Sequence, residues 1–395
     1  MKPSRLVLLG LSLSLTLPLV LAADEKAAPA ARAEKAQADG AAWLLKQQQP
    51  DGSFAVHPKM AGEVGVSALA IAALAKSGHA QSPEVEKGVA FLLKNAHPDG
   101  SIWNDDGQGL YNYRTSVSIM ALTAVDRVKY AEAIRKGQDF IAGLQRCEKN
   151  DGTQKTDPNY GGIGYGDDGP KNDLSNTQMA LQALKESGYT NDEVFKRAAE
   201  FAAKCQNHAS NPVAQEKDRK TGIGNDGSFF YGPQADKDVL DKAGLESGSD
   251  GKPHPKGYGS MTYAGLLTMV YARLTKEDPR VAAAWDWIRK HYTVAENPGL
   301  ASAESPLAGK QGLYYYYLTF AKSMRAYGES EVTTADGAKH PWASDLLEAV
   351  LKAQKPEGMW VNADAERWME GNPVLATSFA LQVVGICREE LGASR

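Results

Sequence analysis

Cysteine is nearly missing from this chain, with 3 in 395 residues and no Cys-x-x-Cys spacing. That excludes a disulfide framework and the commonest zinc and redox motifs. Cys147 and Cys205 fall near the ends of two successive helical patterns and could pair, leaving Cys387; three buried thiols packed as small apolar residues is the simpler reading. Histidine is also scarce, at 7 residues. No two stand four apart on one helix face, so no metal site is expected. A basic excess is lacking: Lys and Arg total 44 against 48 Asp and Glu, a formal charge of −4. Nothing in that balance attracts nucleic acid. Gly-x-Ser-x-Gly is absent, and the glycine-rich stretch Gly161–Gly166 lacks the Lys-Ser/Thr of a phosphate-binding loop. No cofactor is expected.

Only one long apolar run occurs. Lys2 and Arg5 precede Leu6 to Ala22, which is broken by Ser12, Ser14, Thr16 and Pro18 and ends in Val20-Leu21-Ala22. This reads as a secretory signal peptide over residues 1–22, and too short a run to serve as a membrane anchor. The chain is therefore expected to be exported, periplasmic or extracellular, with no transmembrane anchor after cleavage. Residues 23–35 are Ala-rich and read as a flexible lead-in.

What is present is repetition. A turn phrase of Gln or Asn, then an acidic residue and Gly, then often an aromatic, recurs six times. The copies are Gln49 with Asp51-Gly52-Ser53-Phe54; Asn95 with Asp99-Gly100 and Trp103; Gln145 with Asp151-Gly152; Gln206 with Asp226-Gly227-Ser228-Phe229; the degenerate Glu296-Asn297-Pro298-Gly299; and Gln354 with Glu357-Gly358-Met359-Trp360. Glycine supplies the left-handed residue that ends a helix.

Each turn is flanked by two helical patterns. Those before it span about 36–48, 84–96, 131–146, 192–206, 279–291 and 342–354, and are amphipathic. Those after it span about 64–77, 113–126, 174–187, 260–274, 311–327 and 374–391, and are apolar nearly all round, so they must be buried on most sides. Ser82-Pro83, Asp278-Pro279 and Asn372-Pro373 are N-cap and first-turn pairs. No stretch alternates long enough to predict a sheet. The end repeats are no more polar than the rest, as an open solenoid would require. The expectation is an all-α chain: a single α/α toroid over residues 36–395, with six helical hairpins forming an inner and an outer ring.

The phrase Lys87-Gly88-Val89-Ala90-Phe91-Leu92-Leu93-Lys94-Asn95 with Asp99-Gly100 and Trp103 resembles the QW-type repeat of squalene and hopene cyclases, as does Lys136-Gly137-Gln138-Asp139-Phe140 through Gln145. More widely, the chain resembles the prenyltransferase and squalene-oxidase repeat proteins, a terpenoid cyclase and protein prenyltransferase family whose fold is an α/α toroid. The resemblance implies that fold over nearly all of the mature chain. Its chemistry does not carry over residue by residue. The Asp-x-Asp-Asp tetrapeptide that protonates substrate in class II cyclases is absent, the nearest match being Asp236-Lys237-Asp238. The Asp, Cys and His that hold zinc in protein prenyltransferases have no counterpart, nor has the Gly-Cys-Gly-Glu-Gln of thioester domains.

Aligning the inner helices places a hydroxyl near each start: Ser67, Thr115, Thr177, Thr262, Tyr317 and Thr377. In a ring these would converge as a polar rim at one mouth of a central cavity. Beside them stand Asp173 and Asn176, Tyr258, Ser260 and Tyr263, Tyr314, and Arg367 and Glu370. Asp105 and Asp106 suit a turn. The polar insertion at about 207–257 joins an outer to an inner helix and should lie at one mouth. The reading is a toroid that binds a partly apolar, polar-headed small molecule, an isoprenoid or a glycan. The alternatives are an enzyme, either a terpenoid cyclase-like isomerase or a carbohydrate-active lyase or hydrolase, and a structural interaction module.

Overall fold

A computed structural model describes residues 29–54, 63–105, 109–166, 172–215, 221–234, 236–248 and 251–393. The expected signal peptide and the first part of the lead-in lie outside the described residues.

Two populations of helix alternate along the chain. The outer set comprises α1 (Pro29–Leu45), α3 (Pro83–Lys94), α5 (Ala131–Gly143), α7 (Asp192–Lys204), α10 (Pro279–Lys290) and α12 (Trp342–Ala353). The inner set comprises α2 (Val64–Leu74), α4 (Tyr111–Asp126), α6 (Leu174–Glu186), α9 (Gly259–Tyr271), α11 (Leu313–Tyr327) and α13 (Pro373–Ala393). A short helix, α8 (Lys237–Ala243), sits within the long insertion. The composition dictates the layers. Every residue of α2 is buried, as its all-round apolar sequence requires, whereas α3 buries only Val85, Gly88, Val89, Phe91 and Leu92 along one stripe. Ser82, Asp278 and Asn372 cap their helices as expected, through Val85, Arg280 and Val374 amides. No helix among the described residues is long and apolar enough to cross a membrane.

The inner helices pack in chain order, α2 on α4, then α6, α9, α11 and α13, and α13 returns to α2. The outer ring closes too. Arg32 on α1 pairs in bidentate fashion with Glu348 on α12 at 2.8 and 3.0 Å.

The recurrent glutamine supplies the joints. Gln145 Nε2 donates to the Gly161 carbonyl in its own turn and to Val194 in the next outer helix, at 3.0 and 2.9 Å. Gln48 does the same to Gly52 and Glu84, Gln206 to Gly227 and Arg280, and Gln354 to Gly358 and Ala36. The last bond spans 318 residues and seals the ring. The turn glycine needs space as well as a positive φ. A Cβ on Gly161, at φ +86°, would lie 1.9 Å from the Arg197 carbonyl oxygen, and one on Gly227 2.1 Å from that of Ala283.

Four local expectations are corrected. In the first repeat Gln48, not Gln49, is the joint. In the third repeat Gly161 takes the turn position rather than Gly152, because the ten residues from Asp151 to Tyr160 are inserted ahead of it; Asp151 pairs with Arg146 at 2.8 Å instead. Residues 29–35 are not a flexible lead-in but the first turns of α1, since Ala33 and Ala36 continue the buried stripe of Ala41 and Leu44. Two small antiparallel hairpins occur among the helices, β1 (Leu245–Ser247) with β2 (Pro253–Pro255) and β3 (Val332–Thr333) with β4 (Lys339–His340), too short to show an alternating pattern. Cys147, Cys205 and Cys387 are buried, and no disulfide joins them.

Candidate functional site

The hydroxyls expected at a polar rim do a different job. Thr115, Thr177, Thr262 and Thr377 accept the amides of Ile102, Ile163, Phe229 and Trp360 at 2.9–3.1 Å, and Ser67 accepts that of Phe54 at 3.0 Å. Tyr317 donates to the Val294 carbonyl at 2.6 Å. All five Ser and Thr side chains are fully buried. They pin each turn to the following inner helix, away from the centre.

The cavity lies one or two residues nearer each helix start. Val66, Tyr113, Ser175 and Asn176, Ser260 and Met261, Tyr315, and Leu375 line a mostly apolar space of about 270 Å³. One or two residues is 100–200° around a helix. The alignment thus located the right turn on the wrong face. Of the residues expected, Asn176, Tyr258, Ser260 and Glu370 line this space. Tyr314 packs edge-on against Tyr317, and Tyr263 stacks on Phe320 at 4.7 Å, so both serve the core. Tyr165, Tyr315 and Trp368 also line it, with Glu63, Tyr113, Tyr231, Lys242 and Phe379, which were not singled out in the sequence.

Asp173 and Arg367 line an adjoining polar chamber of about 400 Å³, which meets the first at Tyr165, Tyr231 and Lys242. The insertion supplies Tyr231, Asp236, Val239 and Lys242 to this chamber. Asp105 is exposed away from both spaces; Asp106 lies outside the described residues.

The electrostatics follow from burial. Burial pushes the Asp173 carboxyl up to about 6, against the Asn176 amide, the Asn176 side chain and the Tyr231 hydroxyl that bond it. Tyr231 in turn shares a 2.8 Å hydrogen bond with Tyr165. Burial likewise pushes Glu370 up to about 7, although Asn362 and the first amides of α11 bond its oxygens. Glu370 thereby holds the start of the helix that carries Tyr315. Glu63 pairs with the buried Arg114 at 2.8 Å. Asn297, from the degenerate fifth turn, clasps Ser260 at both its amide and its hydroxyl.

Trp368 and Met369 reach the cavity from a 3₁₀ turn (Arg367–Met369) in which both hold positive φ, 59° and 65°. Each such residue costs roughly 1 kcal/mol or more. The turn is held by Arg367, which donates to Gln311 and to the Asp241 carbonyl, and by Lys242 lying 5.3 Å over the Trp368 ring.

A polar and charged cluster occupies the inner ring away from this cavity. Gln178, Gln182 and Glu186 form a hydrogen-bonded ladder down α6, and Lys322 and Lys76 pair with Glu186 at 2.9 and 3.2 Å. Glu186 is the last residue of α6, and Lys76 stands just past the end of α2. Among the described residues no His, Cys, Asp and Glu cluster could hold a metal ion.

Residues 60–234 match the family model described as the squalene-hopene cyclase C-terminal domain. Among solved structures, the apo type II terpene cyclase MstE from Scytonema is 14% identical and aligns over 91% of this chain and 99% of its own, with a TM-score of 0.51. MstE in complex with geranylgeranyl dihydroxybenzoate is 13% identical over 92% and 99% of the two chains, with a TM-score of 0.48. A protein from Actinoplanes is 12% identical over 90% and 99%, with a TM-score of 0.42. No curated protein matches the chain. The chain is a terpenoid cyclase-like α/α toroid, and at these identities the likeness concerns the fold.

Proposed function

We propose that this chain is an exported binding protein whose toroid holds a partly apolar, polar-headed small molecule at the inner-helix N-terminal mouth. One observation carries the reading: all six inner helices contribute side chains to a single aromatic cavity near their N-terminal ends. Export rests on the basic start and apolar run of residues 1–22. Binding is favoured over cyclisation because Asp-x-Asp-Asp is absent and Glu370 is engaged on both oxygens.

Native mass spectrometry of the protein isolated from its source tests this. The expected result is an adduct that denaturation releases and that Phe379→Trp, which fills the cavity, removes. Protein that carries no adduct and takes up nothing from isoprenoid or glycan extracts would contradict it. The enzyme reading has one observation in its favour, the Asp173 carboxyl chained through Tyr231 to Tyr165. Conversion of an extract component into a new mass, lost in Asp173→Asn, would establish that reading instead.

A further inference from the structure

The cavity contains two phenols whose hydroxyls bond no other side chain or backbone group among the described residues. Nearly every buried hydroxyl around them is committed: Tyr165 to Tyr231, Tyr231 to Asp173, Tyr315 to Ser175 at 3.0 Å. Tyr258 is only 3% exposed and lines the cavity, yet its hydroxyl bonds no other described residue. The Tyr113 hydroxyl, which lines the same cavity, bonds no described residue either. Neither hydroxyl is sealed in the core, so a ligand atom in the cavity can reach each of them.

Phenols in this setting stay protonated, because burial raises both. Each therefore offers an O–H to an acceptor. The charges around them select the kind of acceptor. Glu63, Glu370 and the adjoining Asp173 are buried carboxylates. The guanidinium of Arg114 is held by Glu63, and the Lys242 ammonium lies over the Tyr231 and Trp368 rings, 4.7 and 5.3 Å from their centroids. An anion entering here would meet Glu63, the partly ionised Glu370 and Asp173, and cations already engaged. A cation would find no carboxylate oxygen presented to it without breaking the Glu63 pair or the Glu370 cap. Size narrows the class further. A dry cavity of about 150 Å³ holds benzene. By proportion, about 270 Å³ holds roughly 11 non-hydrogen atoms.

We infer that the ligand is an uncharged, oxygen-bearing hydrocarbon whose buried portion has about ten carbons, and whose carbonyl, ether or alcohol oxygen accepts hydrogen bonds from Tyr258 and Tyr113. This deepens the binding reading above and rests on it. The polar chamber is where any more hydrophilic extension would lie.

A matched ten-carbon series tests it by calorimetry on the mature chain: 2-decanone, decanoate, decylammonium and decane. The ketone should bind at least about tenfold more tightly than decanoate. Tyr258→Phe should weaken the ketone roughly threefold to tenfold and leave decane unchanged. Tyr113→Phe supplies the same readout should the first variant not fold. Equal or tighter binding of decanoate or decylammonium, or a ketone affinity unmoved by either variant, overturns the inference while leaving the cavity a binding site. Failure of all four probes, decane included, overturns the binding reading itself.

Discussion

Replacing Thr262 by valine separates a structural hydroxyl from a ligand-binding one. Its Oγ1 accepts the Phe229 amide at 3.1 Å and donates to the Tyr258 carbonyl at 3.0 Å. Valine has nearly the same shape, so no cavity opens. The Tyr258 carbonyl keeps its helical bond from the Thr262 amide. The Phe229 amide is left buried without an acceptor, which costs about 1–3 kcal/mol. For a chain of this length that lowers Tm by about 1–4 °C. Thr177→Val orphans the Ile163 amide in the neighbouring repeat and should cost about as much. The two sites share no partner, so the double variant should sum to within about 0.5 kcal/mol. Urea unfolding gives the stability, and 2-decanone titration gives the affinity, which should not change. Unaltered stability with lost affinity would refute this reasoning and restore the polar rim.

The turn glycines divide by position: Gly227→Ala should cost several kcal/mol, about 3 or more, because its Cβ would strike the Ala283 carbonyl, whereas Gly152→Ala, at φ +80° with nothing near it, should cost about 1 kcal/mol. Comparative urea unfolding of the two variants checks this. Gln354→Leu removes the bond to Ala36 and should lower stability by about 1–3 kcal/mol, with amide exchange accelerated first in α1 and α12. Burial raises the Glu186 carboxyl, but Lys322 and Lys76 outweigh it and hold it at about 2. A folded value below the unfolded one stabilises the fold above pH ~4.5 and is lost as pH falls toward 2. Glu186→Gln should remove about 3 kcal/mol at neutral pH and flatten the acid side of the stability curve, as read from urea unfolding across that range.

The ring was legible because each repeat declares itself twice, in a glutamine-and-glycine turn and in a contrast between striped and all-round apolar helices. The site was legible only to within a turn. Ser67, Thr115, Thr177, Thr262 and Thr377 share a position because every repeat needs its turn pinned; that shared need, not the cavity, is what periodicity reports. The cavity residues differ from repeat to repeat (Val66, Tyr113, Asn176, Met261, Tyr315, Leu375) and so leave no periodic trace. The direction of Trp368 was hidden for another reason. It depends on two successive left-handed residues that no turn motif announces. Gly161 shows how an insertion misleads, since Asp151-Gly152 carries the expected phrase nine residues early.

Peptide-resolved amide hydrogen exchange tests the closed ring most directly. In a ring no repeat is terminal, so α1, α2, α12 and α13 should exchange as slowly as the corresponding helices of the middle repeats. Exchange in those four helices running orders of magnitude ahead of α5, α6 and α7 would mean that the first and last hairpins fray as free ends, and the ring account would fall.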